Sequence, residues 1–318
     1  APDCVGPGAE AAVGRLEDGE VVLLENLRFH AGEEANDPDF AAGLARLGDL
    51  YVNDAFSTAH RRHASTTALA SLLPAAAGRL MADELDQLAR VLASPRRPLA
   101  ALVGGAKVST KLRVLSNLAA KVDLLAIGGA MANTFLLARG LSVGRSLCER
   151  ELTGEAEGVL TRAEAARCRV LLPDDAVVAR ALEAGTAAAT VAVDSIPRDM
   201  MVLDVGPSTV GRIGRELEYC RAVVWNGPFG ASETPPFDRA TVAIARIVAR
   251  LTRAGRLLSV AGGGDTVAAL GHAGVAGELS YVSTAGGAFL EWLEGGTLPG
   301  VAALEGSPPA EGGEVRSR

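Results

Sequence analysis

Short apolar runs, each closed by glycine and followed by a stretch with helical spacing, recur along most of this chain. Val21–Leu24 and Leu50–Val52 read as buried strands, too short and too rich in strand-forming residues to be helices. Met81–Leu92 carries apolar residues at helical spacing and runs into Ser94-Pro95-Arg96-Arg97-Pro98, where the prolines stop the helix. A long helix with a proline-rich exit predicts a connector between two domains. Beyond it the rhythm becomes regular, with strands predicted at Leu99–Val103, Leu124–Ile127, Val170–Leu172, Met201–Val205, Ala222–Trp225 and Leu257–Val260. Most are continuous apolar runs rather than alternating ones, as in parallel strands covered on both faces. Helical stretches such as Asp238–Arg253 lie between most of them, so the pattern predicts an α/β chain with a doubly wound parallel sheet.

Composition narrows the class. With 318 residues the chain is long enough for two domains with buried cores. A net charge of −7 and an aromatic content of 4% argue against broad nucleic-acid or anionic-membrane binding and against base-stacking platforms. The four cysteines, Cys4, Cys148, Cys168 and Cys220, are far apart and form no CxxC pair, which predicts isolated reduced thiols rather than a zinc site or disulfide framework. Apolar runs are interrupted before bilayer length, so no membrane span is expected. The chain opens at Ala1-Pro2-Asp3-Cys4 without methionine, which reads as processing, trimming or excision from something longer.

The ends of the predicted strands carry the chemical signal. In order they meet Gly104-Gly105-Ala106-Lys107, Gly128-Gly129-Ala130, Asp204-Val205-Gly206-Pro207, Asn226-Gly227-Pro228 and Gly262-Gly263-Gly264-Asp265-Thr266, while Ser283-Thr284-Ala285-Gly286-Gly287 opens the last helix. Ligands of open α/β sheets bind beyond the carboxyl ends of the strands. Glycine there lets backbone N–H groups approach an anion, and a following helix adds its positive end. One such turn is ordinary turn chemistry; six on one edge predict a phosphate-bearing ligand. Asp265 beside Thr266 suits Mg²⁺ held through substrate phosphates, the alternative being a helix N-cap. Lys107 and Lys111, four apart, would share one helical face along a polyphosphate, or else be paired surface lysines. Neither GxxxxGK[ST] nor GxGxxG occurs, which excludes a P-loop and a standard dinucleotide fold, and with it a dinucleotide oxidoreductase.

A second cluster lies earlier. Leu24-Glu25-Asn26-Leu27-Arg28-Phe29-His30 ends one predicted strand, and Asp54-Ala55-Phe56-Ser57-Thr58-Ala59-His60-Arg61-Arg62-His63 ends the next. Arg28, Arg61 and Arg62 there suggest bidentate capture of carboxylate or phosphate. His60 and His63 lack partners at metal-ligand spacing. A basic pocket on one side of the connector and a phosphate-plus-metal pocket on the other suit a kinase that closes two domains around its substrates.

These motifs closely resemble those of phosphoglycerate kinases: Leu-Leu-Glu-Asn-Leu-Arg-Phe-His (23–30), Asp-Ala-Phe-Ser-Thr-Ala-His-Arg (54–61), Gly-Gly-Ala-Lys-Val-Ser-Thr-Lys (104–111), Trp-Asn-Gly-Pro (225–228), Gly-Gly-Gly-Asp-Thr (262–266) and the Ser-Thr-x-Gly-Gly turn (283–287). They stand in the family's order over nearly the whole chain. The resemblance implies two doubly wound parallel-sheet (Rossmann-like) domains joined by a long helix. It also implies reversible transfer between ATP and 3-phosphoglycerate, giving ADP and 1,3-bisphosphoglycerate, in glycolysis. By motif, Arg28 and Arg61 would hold the glycerate's phosphate end. Lys107 would accompany the transferring phosphoryl group, and Lys111 the nucleotide phosphates. Asp265 would ligate Mg²⁺, Thr266 would bind phosphates with Gly263 and Gly264 in the same turn, and Glu233 would bind the ribose. Gly105, Gly128, Gly129 and Gly206 would line the adenosine slot, with Asn226 near the phosphates. Gly286 and Gly287 would offer N–H groups to the charge in transit. A monomeric, cytoplasmic enzyme is expected, without nucleic-acid or membrane partners.

The resemblance also carries departures. Ala285 stands where the family usually has glycine, and Ser232 replaces a common phenylalanine before Glu233. The family's opening strands, with an Asp-x-Asn motif, a Ser-His-Leu-Gly-Arg-Pro loop and an arginine that neutralises the transferring group, are absent, so the first domain is expected to be incomplete. Such an arginine is worth about 10³–10⁵ in rate, which predicts that this polypeptide alone is inactive. The other reading is a natural nucleotide-binding remnant with a scaffold or regulatory role. The expected division is 1–79 for the remainder of the 3-phosphoglycerate-binding domain, 80–97 for the interdomain helix and linker, and 98–284 for the nucleotide-binding domain. Residues 285–306 are expected to form a C-terminal helix and a segment returning toward the first domain, and 307–318 a disordered tail.

Overall fold

The computed structural model describes residues 1–92 and 95–306. The tail expected to be disordered, 307–318, lies outside the described residues. The chain divides into two compact units, one formed by Ala1–Leu85 with the segment from Gly296 onward, the other by Asp86–Gly295. No described helix is long and apolar enough to cross a membrane.

The first unit holds helices α1 (Pro7–Val13), α2 (Ala31–Glu34) and α3 (Pro38–Ala45), strands β1 (Tyr51–Asn53) and β2 (Ala75–Ala77), and a helix at Pro299–Glu305. α3 starts where it does because the Asp37 carboxylate accepts from the Phe40 N–H at 2.8 Å and Pro38 fills a position that needs no donor. β1 and β2 pair in parallel, Tyr51 opposite Ala75. The strand expected at Val21–Leu24 does not form. Among the described residues this run has no ladder partner, and Val21 and Leu23 are 91% and 87% exposed. A strand exists through pairing of its N–H and C=O groups, which an apolar run cannot supply to itself. α4 (Arg79–Leu92) runs across the division between the units, and the Asp54 carboxylate caps its start by accepting from the Met81 N–H at 2.9 Å.

The second unit is built on a six-stranded parallel sheet. Its strands are β3 (Leu99–Val103), β4 (Leu124–Ile127), β5 (Arg169–Leu171), β9 (Ala222–Asn226), β10 (Leu258–Gly262) and β11 (Tyr281–Ser283), in the order β11-β10-β9-β3-β4-β5. The chain builds outward from β3 through β4 and β5, then returns to β9 and builds the other way. Every residue of β3, β4 and β9 is buried. On one face Leu102, Ala126, Val223 and Trp225 join a core with Ile244 and Val248 of α9 (Arg239–Arg253) and Ile213 of α8 (Pro207–Leu217). Helices α5 (Leu112–Ala119), α6 (Met131–Ala138), α7 (Thr153–Ala165) and α11 (Gly287–Leu293) contact one another in a second layer, and α10 (Gly264–His272) contacts α9.

The expected parallel strand at Met201–Val205 has its predicted bounds but joins a different sheet. As β8 it pairs antiparallel with β6 (Asp175–Ala179), which pairs antiparallel with β7 (Ala189–Ala192). An apolar run shows that a strand is wanted, not which neighbour it meets. β6 and β7, dominated by alanine and valine, carry little pattern of their own.

Leu102→Ala should destabilise the second unit by about 2–5 kcal/mol, because the side chain is fully buried at the sheet centre. Val21→Ala should change stability by no more than about 0.5 kcal/mol. Urea unfolding followed by tryptophan fluorescence measures both, and comparable losses would contradict this burial pattern.

Candidate active site

The sheet order places a switch point between β3 and β9, where successive connections leave in opposite directions and a crevice opens at the strands' carboxyl ends. Three glycine loops meet there. The Gly104 N–H donates to the Asn226 carbonyl at 3.0 Å, the Gly129 N–H to the Phe229 carbonyl at 2.9 Å, and the Met131 N–H to the Gly105 carbonyl at 3.0 Å. A side chain would not fit between them. A Cβ on Gly104 would overlap the Pro228 carbonyl, and one on Gly129, whose φ is +68°, would lie 2.5 Å from the Gly105 carbonyl oxygen.

The segment from Gly104 to Lys111 is a loop, and α5 begins only after it, so Lys107 and Lys111 do not share a helical face as expected. They diverge. Lys107 is exposed, whereas Lys111 turns inward and its Nζ donates to the Gly104 carbonyl at 2.6 Å and the Asn226 carbonyl at 3.3 Å. Lys111 thus bridges the two sides of the switch point. Burial pushes its ammonium down to about 8, while the Asp265 carboxylate acts in the opposite direction.

Beside these loops lies a cavity of about 350 Å³. Its walls are largely apolar, with Leu136, Leu147, Leu182, Met201 and Leu203 among them, and its polar groups include Glu233 and Asp265. Gly105 and Gly129 line it, but Gly128 and Gly206 stand behind it. A Cβ on Gly128 would overlap the ring of Phe229, itself a wall residue. Gly206 leaves room for the Asp175 carboxylate, which accepts from the N–H groups of Ser208 and Thr209 at 2.9 and 2.8 Å and closes the N-terminus of α8. Ser232 lines the cavity, and its N–H donates to the Gly230 carbonyl at 2.9 Å.

At the end of β10, Gly263 adopts φ +94° and starts α10 without a side-chain cap. Asp265 is exposed in that first turn, so it does not serve as the N-cap. Gly264 is also exposed. The Gly227 N–H donates to Thr266 Oγ1 at 2.7 Å, and Asn226 Nδ2 donates to the Gly262 carbonyl at 2.8 Å. Asn226 Oδ1 is buried with no hydrogen-bond partner among the described residues. At the start of α11, Gly286 adopts φ +53° and Gly287 is exposed. Ala285 is buried and its backbone lies outside the left-handed region, so alanine fits there without that strain.

In the first unit a groove is lined by Asn26, Arg28, Glu33, Asp54 and His63. Arg28 is presented by a short 3-10 turn whose start is fixed by the Asn26 side chain accepting the Arg28 N–H at 3.0 Å. Arg61 and Arg62 are exposed on the turn before a π-helical stretch, Ala64–Ala68, and neither lines the groove. Glu33 is buried; it accepts the Ser65 N–H at 2.9 Å and faces His63 Nδ1 at 3.6 Å. Asp3, Cys4 and His30 also converge, with His30 Nε2 2.7 Å from Asp3 Oδ1. Burial and the adjacent Asp3 carboxylate push the Cys4 thiol up.

Sequence reasoning missed Asp204. It lines the cavity, is 2% exposed, and accepts the N–H groups of Val205 and Ala240, each at 2.9 Å. An aspartate inside the apolar run Met201–Val205 was the available signal. Burial pushes it up to about 8, reinforced by Asp238 and opposed by those two N–H bonds. Between 3.8 and about 8 the folded protein holds a proton that the unfolded chain has lost, so this group makes stability fall as pH rises across that window. Asp204→Asn should remove that slope, its stability relative to the wild type rising from pH 5 to pH 8 in urea titrations. A pH-independent difference would show the carboxyl group to be ionised throughout.

The family model described as phosphoglycerate kinase matches residues 1–296. The chain is 62% identical over 304 residues to the phosphoglycerate kinase of Xanthobacter flavus, covering 96% of this chain and 77% of that protein. It is 61% identical over 302 residues to that of Methylorubrum extorquens strain PA1, covering 95% and 76%. Among solved structures, phosphoglycerate kinase from Coxiella burnetii superposes with a TM-score of 0.87 at 43% identity, covering 91% of this chain and 74% of that one. The enzyme from Pyrococcus horikoshii OT3 gives 0.77 at 30% identity, covering 96% and 77%. A parallel sheet with its glycine loops gathered at the switch point, and this likeness along nearly the whole sequence, lead to one assignment: the chain belongs to the phosphoglycerate kinase family of phosphotransferases.

Proposed function

We propose that this protein catalyses reversible phosphoryl transfer between ATP and 3-phosphoglycerate, giving ADP and 1,3-bisphosphoglycerate, as a monomer in the cytoplasm without nucleic-acid or membrane partners. The observation that carries the reading is the glycine-locked switch point with a half-buried lysine beside a largely apolar cavity of about 350 Å³.

Phosphoryl transfer asks the protein mainly for positioning and charge stabilisation. Adenosine enters the cavity between Gly105 and Gly129, its ribose toward Glu233, while Gly128 and Gly206 act from behind by keeping Phe229 and Asp175 in place. The phosphates meet Lys111, the open N-terminal turn of α10 at Gly263 and Gly264, the Thr266 hydroxyl and Asn226. Because Thr266 Oγ1 accepts the Gly227 N–H, its own hydrogen is left to donate to a phosphate oxygen. Lys107, exposed on its loop, accompanies the transferring group, and Gly286 and Gly287 offer N–H groups to it. Arg28 and Arg61 hold the glycerate's phosphate end.

An exposed carboxylate beside an uncapped helix start fits Mg²⁺, which binds through one or two carboxylates plus substrate phosphates. Asp265 would hold it, and the ion when bound supplies charge neutralisation to the phosphates. Asp265→Ala should abolish the Mg²⁺-dependent part of nucleotide affinity in calorimetry; equal affinity with and without Mg²⁺ in the unsubstituted protein would overturn this assignment. Arg28→Ala or Arg61→Ala should raise the KM for 3-phosphoglycerate about tenfold or more, since a charge-assisted hydrogen bond is worth about 1.5–3 kcal/mol, and leave that for ATP nearly unchanged. The opposite pattern would place the two substrates the other way round, and binding without turnover would favour a nucleotide-binding remnant.

Lys111 adds a pH signature. Burial lowers this ammonium's pKa to about 8 and a polyphosphate beside it raises it again, so nucleotide binding near pH 8 should take up protons. Calorimetry in buffers of different ionisation enthalpy measures the uptake, and its absence, or proton release, would separate Lys111 from the phosphates.

A further inference from the structure

The loop from Gly104 to Lys111 is anchored at its end by the Lys111 ammonium, but Lys107 lies in its exposed middle. A second anchor comes from the cavity wall. Two consecutive residues of α6 grip the segment 147–149: Asn133 Nδ2 donates to the Leu147 carbonyl at 3.0 Å, and the Glu149 N–H donates to Thr134 Oγ1 at 3.0 Å. Leu147 itself lines the cavity. From that fixed backbone the Glu149 carboxylate reaches the lysine loop. One oxygen accepts the Ser109 N–H at 2.9 Å and the other the Ser109 O–H at 2.5 Å. Both carboxylate oxygens are thus engaged by one residue, two positions from Lys107, whose charge Glu149 also feels.

We propose that Glu149 is a positioning residue for Lys107, clamping the lysine loop through Ser109 and joining it to the wall of the nucleotide cavity. The proposal rests on the reading above that Lys107 accompanies the transferring phosphoryl group. A carboxylate bonded to both the N–H and the O–H of one loop residue fixes that residue's orientation as well as its distance, which a lone surface bond does not. Lys111 keeps its own bonds to the Gly104 and Asn226 carbonyls, so loss of the clamp should disturb Lys107 and spare nucleotide affinity.

Glu149→Ala should lower kcat about tenfold or more, the scale on which supporting residues act, with the KM for ATP changed less than about twofold. Ser109→Ala, which removes one bond and keeps the other, should fall between, and Glu149→Gln, which retains an acceptor for the Ser109 N–H, should recover part of the loss. Hydrogen exchange of the amides at 107–110 in the ligand-free protein should speed up about tenfold in Glu149→Ala at unchanged thermal midpoint. That readout needs no turnover, so loop exchange decides on the clamp whether or not the wild-type protein transfers phosphoryl groups. Glu149→Ala and Ser109→Ala with wild-type loop exchange would overturn the proposal. So would unchanged kcat with a raised KM for ATP.

Discussion

The second unit depends on one steric condition, that three loops approach one another more closely than any side chain allows. Gly104, Gly129 and Gly227 each face another loop's backbone at a separation a Cβ could not share. Because backbone packs on backbone, the N–H groups of one loop find carbonyls of the next. The same closeness puts carbonyl oxygens near enough for one ammonium, that of Lys111, to reach both sides. Charge, glycine and sheet order are therefore one feature. Reversing the strand order at β3 and β9 opens the crevice, glycine lets its walls meet, and a half-buried lysine supplies the cation that the meeting carbonyls stabilise.

Burial shifts the pKa values of two ionisable groups there in opposite directions, each toward the neutral form. It drives the Lys111 ammonium toward neutrality, to about 8, and the Asp204 carboxyl likewise toward neutrality, to about 8. Each is held in its charged form only partly, Lys111 by Asp265 and two carbonyls, Asp204 by two N–H groups. A polyanion would complete the environment of the lysine and not that of the aspartate. The lysine's charge is thus the one a nearby anion would favour, whereas Asp204 ties β8 to the start of α9.

What was legible in the sequence was whatever rests on one residue type in one local setting. Continuous apolar runs marked β3, β4 and β9 closely, because strands covered on both faces tolerate little else. Glycine pairs marked the switch point, because close backbone approach admits nothing larger. Sheet membership was not legible: Met201–Val205 reads like its parallel neighbours, yet its partners are the plain segments Asp175–Ala179 and Ala189–Ala192. Val21–Leu24 reads like a strand, but its state depends on a neighbour rather than on its own residues. Nor could spacing alone show that Lys107 and Lys111 part company, since a four-residue interval has helical meaning only once a helix exists. Glu149 and Ser109, forty positions apart, carry no local sign of their pairing.

Among the helices of the second unit that start at glycine after a sheet strand, α8 and α10 differ in how their first turns are capped. At α8 the end is already occupied, since the Asp175 carboxylate takes the N–H groups of Ser208 and Thr209 and also accepts from the Thr209 hydroxyl at 2.6 Å. A phosphate there would have to displace a buried, internally bonded carboxylate. At α10 the N-cap is Gly263, which has no side chain to cap the first turn's donors. The partial positive charge of a helix start is equal in kind at both, so local capping and not the dipole selects the site. Similar Gly-Pro and Gly-Gly punctuation therefore serves two ends. One glycine makes room for the protein's own carboxylate, and the other starts its helix without one.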